Sequence, residues 1–334
     1  MVTLKDVGEL AGVTATTASA ALRNKEYVKP ETIQRVREAA KKLGYKTNLS
    51  GRSLRSGRSD TITFLTSGIE GDYFSHLAMS VAEEVHERGS HMLIELSRYL
   101  DDDNDLSYTF SDGIIAINAP RAVDILQQHP SVMLENYDTS IPIDTVNAPS
   151  AEGSRVAARH LIERGCKHIG IVGDNRDPSR NIIPGARDTR MRAAAAEIRA
   201  AGLEFDERYD FIKSAWSIDG GIEAGRKLAK KGRKGMKYDG LYCLNDGIGL
   251  GVLRGLADGG VHVPDDVLVI GFDGLSQGAY SVPTLTTVAT DFKGMANTAL
   301  TLLMRRIEQP EKEYFPQTVT VGYKLIERES TARK

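Results

Sequence analysis

The chain has 334 residues, 41% of them hydrophobic, and a formal net charge of −2. That length and apolar fraction exclude a mainly disordered chain and predict two or three folded units, and no run approaches the roughly 20 apolar residues of a membrane span. Cys166 and Cys243 fit neither a metal spacing nor a disulfide framework, and the N-terminus lacks the apolar stretch of a secretory signal, so a cytoplasmic, reducing setting without a metal is expected.

Charge is divided unevenly. Residues 1–58 carry 12 Lys/Arg against 5 Asp/Glu, a formal +7, which leaves −9 on the remainder. A basic head on an acidic body is what phosphate binding by one small domain requires. In the head, Thr3 starts a helix on which Leu4, Val7 and Leu10 recur at helical spacing, and Gly12-Val13 ends it. Thr14 caps a second helix, Ala15-Thr16-Thr17-Ala18-Ser19-Ala20-Ala21-Leu22, after a turn of a few residues, the helix-turn-helix arrangement. A third runs from Pro30 to Gly44 with Ile33, Val36, Ala40 and Leu43 as its buried stripe. Small side chains on the second helix let its backbone lie close to base edges in the major groove, where Ala and Thr methyls meet thymine methyls. Efficient helix packing is the plainer reading of the same run.

Residues 45–58 are polar and basic, with Leu54 set among arginines. A helix there is marginal alone, since about 12–15 residues are needed even for good formers, and Gly51 costs roughly 1 kcal/mol more. The segment is expected to order only on DNA and a partner segment, with Leu54 as a minor-groove wedge; a flexible linker is the alternative.

From Asp60 onward β-rich runs at 62–65, 91–96, 114–117, 132–134, 168–172, 209–212, 240–244, 267–272 and 287–289 alternate with helical stretches at 74–88, 153–164, 191–201, 218–230, 248–257 and 292–307. Such alternation predicts parallel sheet covered by helices, and a body this large predicts two lobes sharing a ligand cleft. The expected division is 1–46 for the DNA-binding head, 47–59 for a hinge and 60–334 for effector binding and dimerisation.

Enzymatic readings fare poorly. Gly274-Leu275-Ser276-Gln277-Gly278 matches a nucleophile elbow, but Ser281-Val282-Pro283 closes off the helix the elbow needs. Gly247-Ile248-Gly249-Leu250-Gly251 lacks the spacing of a dinucleotide loop, and the histidines show no metalloprotease motif. No enzyme activity, catalytic residue or cofactor is expected. A transport-type sugar-binding protein would share the body but would not carry residues 1–58.

Val2-Thr3-Leu4-Lys5-Asp6-Val7, Ala11-Gly12-Val13-Thr14, Leu43-Gly44-Tyr45 and Arg52-Ser53-Leu54-Arg55 resemble the lactose/galactose-repressor family, without gaps through the head. The body resembles it too, at 160–173, Leu244-Asn245-Asp246, Pro264-Asp265-Asp266-Val267, Ile270-Gly271-Phe272-Asp273 and 283–288. The resemblance implies a small all-α helix-turn-helix head joined to an α/β, two-lobed, periplasmic-binding-protein-like core that crosses between lobes three times. It implies a repressor that binds double-stranded operator DNA as a homodimer under control of a small effector, a sugar in preference to a nucleobase.

For DNA it implies Ala15, Thr16 and Ala20 at base-reading positions, with Thr14, Thr17, Ser19, Arg23, Tyr45 and Asn48 near phosphates or bases. Arg52, Ser53 and Leu54 fall in the hinge, with Leu54 as the intercalating leucine. For the effector it implies Arg190, Trp216, Asn245, Asp246 and Asp273, joined by Tyr73, Phe74 and Glu135; each of these types taken alone is more often a cap or a salt-bridge partner. Three departures stand out. Ala20 replaces a common arginine, Gly51 replaces alanine, and the stretch between Leu96 and Asp112 is shorter than in relatives by about ten residues, too few for a full crossover helix. After Tyr323 there is no leucine heptad, so tetramers through a terminal coiled coil are not expected.

Overall fold

The computed structural model describes residues 2–22, 24, 25, 27–45, 58–99, 111–174, 185–232, 235–310 and 315–333. Arg23, Asn48, Arg52, Ser53, Leu54 and most of the short 97–111 segment lie outside them. The chain forms two compact units, Met1–Ser59 and Asp60–Lys334.

In the first unit, local chemistry sets each helix end. Thr3 caps α1 (Leu4–Ala11) with a reciprocal pair: its backbone N–H donates to Asp6 Oδ2 at 2.7 Å, and its hydroxyl accepts from the Asp6 N–H at 3.4 Å. Gly12, at φ 68°, ends the helix in the left-handed region. Thr14 Oγ1 accepts from the Thr17 N–H at 3.1 Å where α2 (Ala15–Leu22) begins. Pro30 opens α3 (Pro30–Leu43) and Gly44 closes it at φ 63°. Gly8 permits the tight α1–α2 turn, since a Cβ there would stand 2.7 Å from the Val13 carbonyl oxygen. Val7, Ala11, Ala18, Ala20, Ala21, Val36 and Ala40 form much of the buried core.

The second unit holds two six-stranded sheets. Strands β1 (Thr61–Thr66), β2 (His91–Leu96), β3 (Gly113–Ile117), β4 (Ser131–Leu134), β5 (Asp144–Asn147) and a later strand, β11 (Thr318–Thr320), form the lobe-one sheet. Its order is β11-β5-β4-β3-β1-β2, parallel throughout. Strands β6 (Ile169–Asp174), β7 (Phe211–Lys213), β8 (Gly240–Cys243), β9 (Leu268–Asp273), β10 (Thr286–Thr290) and β12 (Tyr323–Ile326) form the lobe-two sheet, in the order β12-β10-β9-β8-β6-β7. Only β12 runs antiparallel there. The helices are α4 (Asp72–Glu87), α5 (Val123–Gln128), α6 (Ser150–Glu163), α7 (Ala186–Ala200), α8 (Glu207–Asp210), α9 (Ile218–Leu228), α10 (Asp246–Asp258) and α11 (Phe292–Glu308).

This order makes the chain cross between lobes three times: after β5, after β10 and between β11 and β12. The crossings run side by side. Val321 N–H donates to the Asn147 carbonyl at 3.0 Å, and Asp291 N–H donates to the Gly322 carbonyl at 3.3 Å. Helix α11 returns to pack its Met295, Ala299 and Leu303 into the lobe-one core beside α4.

The strand expected at 209–212 begins only at Phe211. Residues 207–210 form the helical turn α8, because Asp206 accepts from the Arg208 N–H at 3.0 Å and caps it. The glycine run in α10 has a packing role. Gly251 and Gly255 face Gly221 and Gly225 of α9 so closely that a Cβ on Gly251 would lie 2.1 Å from the Ile218 carbonyl oxygen. Ser276 opens a short 3-10 turn, Ser276–Ala279, in place of an elbow helix.

Candidate functional site

The candidate DNA-reading face is α2. Thr14, Ala15 and Thr16 are exposed, and Thr17 and Ser19 are half-buried. The Thr14 and Thr17 hydroxyls lie 2.9 Å apart, so both are drawn into the cap. Ala20 departs from the expected base-reading role: it is 1% exposed and belongs to the three-helix core, because a methyl side chain here does not extend past the surface as a long one would. Tyr45 is half-buried, packs against the same core and donates its N–H to the Ala40 carbonyl at 2.9 Å. Of the three residues expected to read bases, Ala15 and Thr16 are the exposed ones.

In open parallel sheets, ligands bind beyond the carboxyl ends of the strands. Arg190, on α7, reaches that edge and is 2% exposed. Its Nη1 donates to the Leu244 carbonyl at 2.6 Å and to Asp273 Oδ1 at 3.1 Å, and its Nε donates to Ser150 Oγ at 3.2 Å. The guanidinium lies 3.8 Å from the Phe272 ring centre and 5.8 Å from that of Trp216. Trp216 is fixed by its indole N–H, which donates to the Gly173 carbonyl at 2.8 Å.

Lobe one supplies the other half. Glu135 follows β4 at φ 56° and accepts from the Ala148 N–H at 2.5 Å and from the Tyr137 hydroxyl at 3.2 Å. Tyr137 also approaches Ser150 Oγ at 2.9 Å, so Glu135, Tyr137, Ser150, Arg190 and Asp273 form one connected chain of polar contacts. The hydroxyl of Tyr73 is buried without a hydrogen-bond partner among the described residues. Its ring meets Phe74 and Phe292 edge-on, at 5.6 and 5.2 Å.

Burial dominates the electrostatics. It raises the Asp273 carboxyl to about 7 against the opposing pull of Arg190, and it raises Glu135 despite Arg190, Ala148 and Tyr137. Burial first, then the Asp273 charge, pushes Asp246 to about 8. For Arg190 burial works against the charge, yet Asp273, with Tyr242 and Glu135, holds it above its ordinary value. Tyr73 is pushed well up by burial and then by Glu135.

Some expected effector residues have structural duties. Asn245 caps α10, its side chain accepting from the Ile248 N–H at 2.7 Å. Asp246 is fully buried and accepts from the Gly274 and Leu275 N–H groups at 2.9 and 2.7 Å. Phe74 packs against the lobe-one core. Tyr137 and Ser150 join the site unannounced by any motif; their one signal in the sequence is nearness to Glu135 and to the first crossing.

Residues 3–48 match the profile of bacterial regulatory proteins of the lacI family, and residues 158–331 match the periplasmic binding protein-like domain. The chain belongs to the lacI family. It is a helix-turn-helix, DNA-binding regulator of transcription. It is 26% identical over 339 residues to the HTH-type transcriptional regulator RegA of Clostridium saccharobutylicum, covering 98% of each chain. It is 25% identical over 346 residues to the HTH-type transcriptional repressor PurR of Actinobacillus pleuropneumoniae serotype 3, covering 99% of this chain and 98% of that one. Its fold matches the lac repressor dimer bound to operator and the anti-inducer ONPF with a TM-score of 0.77, at 20% identity over 99% of both chains. Among the described residues no helix is long and apolar enough to cross a membrane.

Proposed function

We propose that this lacI-family member is a repressor that binds a two-fold operator as a homodimer through α2 and is controlled by a small effector, a sugar, in the cleft around Arg190. Residues 1–46 read DNA, 47–59 link the units, and 60–334 bind the effector and dimerise. One observation carries the effector reading: a single buried guanidinium joins Ser150 at the first lobe crossing, Leu244 beyond β8 and Asp273 at the end of β9. A ligand that engages Arg190 or Asp273 perturbs a hydrogen-bond chain that continues through Ser150 and Tyr137 to Glu135 of lobe one. If it favours one lobe arrangement, DNA affinity changes by the same coupling factor.

The chemistry favours a polyhydroxylated ligand. Glu135 and Asp273 accept from hydroxyls, the Arg190 fork donates to ring or hydroxyl oxygens, and Trp216 offers a flat face held in place by Gly173. A nucleobase stacked on Trp216 is the alternative. A thermal-shift series with sugars and nucleobases separates them, since a ligand at about 100 times its Kd adds about 2.7 kcal/mol to the folded state. A sugar that raises Tm by several degrees is the expected result, and a nucleobase response with every sugar inert contradicts it.

A second copy of the chain fits the exposed apolar side chains. Leu93 and Ile94 are exposed on β2, the edge of the lobe-one sheet, and Met79 is exposed on α4. In lobe two, Tyr280 and Val282 are 82% and 93% exposed. An apolar edge strand with unpaired backbone groups is a template for pairing, and two copies cover it symmetrically. For DNA, Leu54→Ala is expected to weaken specific operator binding while the fold stays intact; unchanged affinity at physiological salt would remove the wedge role.

A further inference from the structure

Leu275 follows β9 of lobe two, yet its side chain is buried in the lobe-one core, in one cluster with Val146, Phe292 and Met295. Two residues before it, Asp273 pairs with Arg190. Asp273 and Gly274 both adopt left-handed backbone, at φ 113° and 82°. A positive φ of this kind is strained for any residue but glycine, so the surroundings of Asp273 must hold it. Arg190 grips the side chain at 3.1 Å, and Asp246 Oδ2 gathers the next two backbone N–H groups, Gly274 and Leu275. Thr287 Oγ1 also accepts from the Gly274 N–H at 3.2 Å. The neighbouring strand presses close: a Cβ on Gly274 would lie 2.4 Å from that of Ala289.

We propose that Asp246 is a positioning residue that holds Asp273 against Arg190, and that the 273–275 segment carries occupancy of the cleft into lobe one by shifting Leu275 within its core. The proposal rests on the reading that this cleft takes an effector. Such a ligand competes for Arg190 or Asp273, and once the pair loosens the strained backbone relaxes. The two N–H groups then shift on the Asp246 carboxyl oxygen, and Leu275, attached to the second of them, moves with the segment. Close-packed cores answer such a shift by stepping between arrangements rather than by continuous deformation.

The test needs neither effector nor DNA, so it decides the proposal even where no effector is found. Hydrogen exchange is followed by mass spectrometry on the full chain, reading residues 292–299 at the start of α11. Asp246→Ala is compared with Val252→Ala, which truncates a fully buried lobe-two side chain on the same helix. Both variants are expected to loosen lobe two, but only Asp246→Ala, which removes the acceptor of the Gly274 and Leu275 N–H groups, should speed exchange at 292–299, by about fivefold or more. Unchanged exchange there, or the same acceleration in Val252→Ala, overturns the proposal. Asp273→Asn, which leaves Asp246 in place, serves if Asp246→Ala does not fold: it should give the same lobe-one signal, and an effect confined to lobe two counts as refutation.

Discussion

Exclusion of water sets the charge state of the carboxyl groups around Arg190. Asp273 is raised to about 7 and Asp246 to about 8, chiefly by burial. In the unfolded chain the same groups titrate near 3.9, so between roughly pH 4 and pH 8 the folded state binds more protons than the unfolded one. Stability therefore falls as pH rises through that window, by at most about 1.4 kcal/mol per pH unit for each group. Urea midpoints measured across the window should show this decline, and Asp246→Asn should flatten part of it; a wild-type profile flat from pH 4 to 8 contradicts the assignment. Arg190→Ala leaves Asp273 and Glu135 without their counter-charge and is expected to cost about 3–5 kcal/mol in denaturant unfolding. Arg190, Asp273, Glu135 and Trp216 are legible through the resemblance. Tyr137 and Ser150 are not, because their role comes from lobe one meeting lobe two, which no local spacing encodes. Asn245 resembles a ligand contact because caps and ligand donors draw on the same side chains. The resemblance puts Ala20 at a reading position, but its small side chain is buried in the three-helix core.

At the level of elements, the α9–α10 contact depends on glycine. Gly251→Ala would drive a methyl into the Ile218 carbonyl, and overpacking of this kind costs about 1–3 kcal/mol. Gly247→Ala, on the same helix, meets nothing closer than 3.4 Å and is expected to add about 0.4–1 kcal/mol by restricting the unfolded chain. Thermal unfolding of the two variants should therefore shift in opposite directions, and a shift of the same sign in both would undo the packing argument. The packing of 221/225 against 251/255 is not legible from the sequence, where only the 247–251 run draws notice, as a glycine run that lacks the spacing of a dinucleotide loop. Long amphipathic helices and buried strands are legible to within a few residues, since their periodicity spans a full window. The short elements α5, β5, β11 and β12 are not, because three to six residues hold too little pattern. Tyr209, Phe211 and Ile212 have strand-like composition, and the Asp206 cap nonetheless pulls residues 207–210 into a helical turn.

For the whole molecule, three hydrogen-bonded crossings side by side join the two lobes, each with its own six-stranded sheet. The alternation of runs after Asp60 makes the two-lobed parallel architecture legible; the crossings themselves come from the resemblance. The exposed β2 edge belongs to this scale as well. Leu93→Asp combined with Ile94→Glu is expected to turn a dimer into a monomer in analytical ultracentrifugation and to weaken operator binding, because a two-fold site is gripped by two heads. A monomeric wild type, or a dimer untouched by the double substitution, removes that interface.

The most direct measurement is selection of bound duplexes from a random library by the purified full-length chain, followed by competition against bulk genomic DNA with and without the sugar found by thermal shift. The expected result is an enriched two-fold-symmetric sequence held about a thousandfold or more tighter than competitor DNA, with that preference changed by the sugar. Equal retention of every duplex, whether or not the sugar is present, would contradict it.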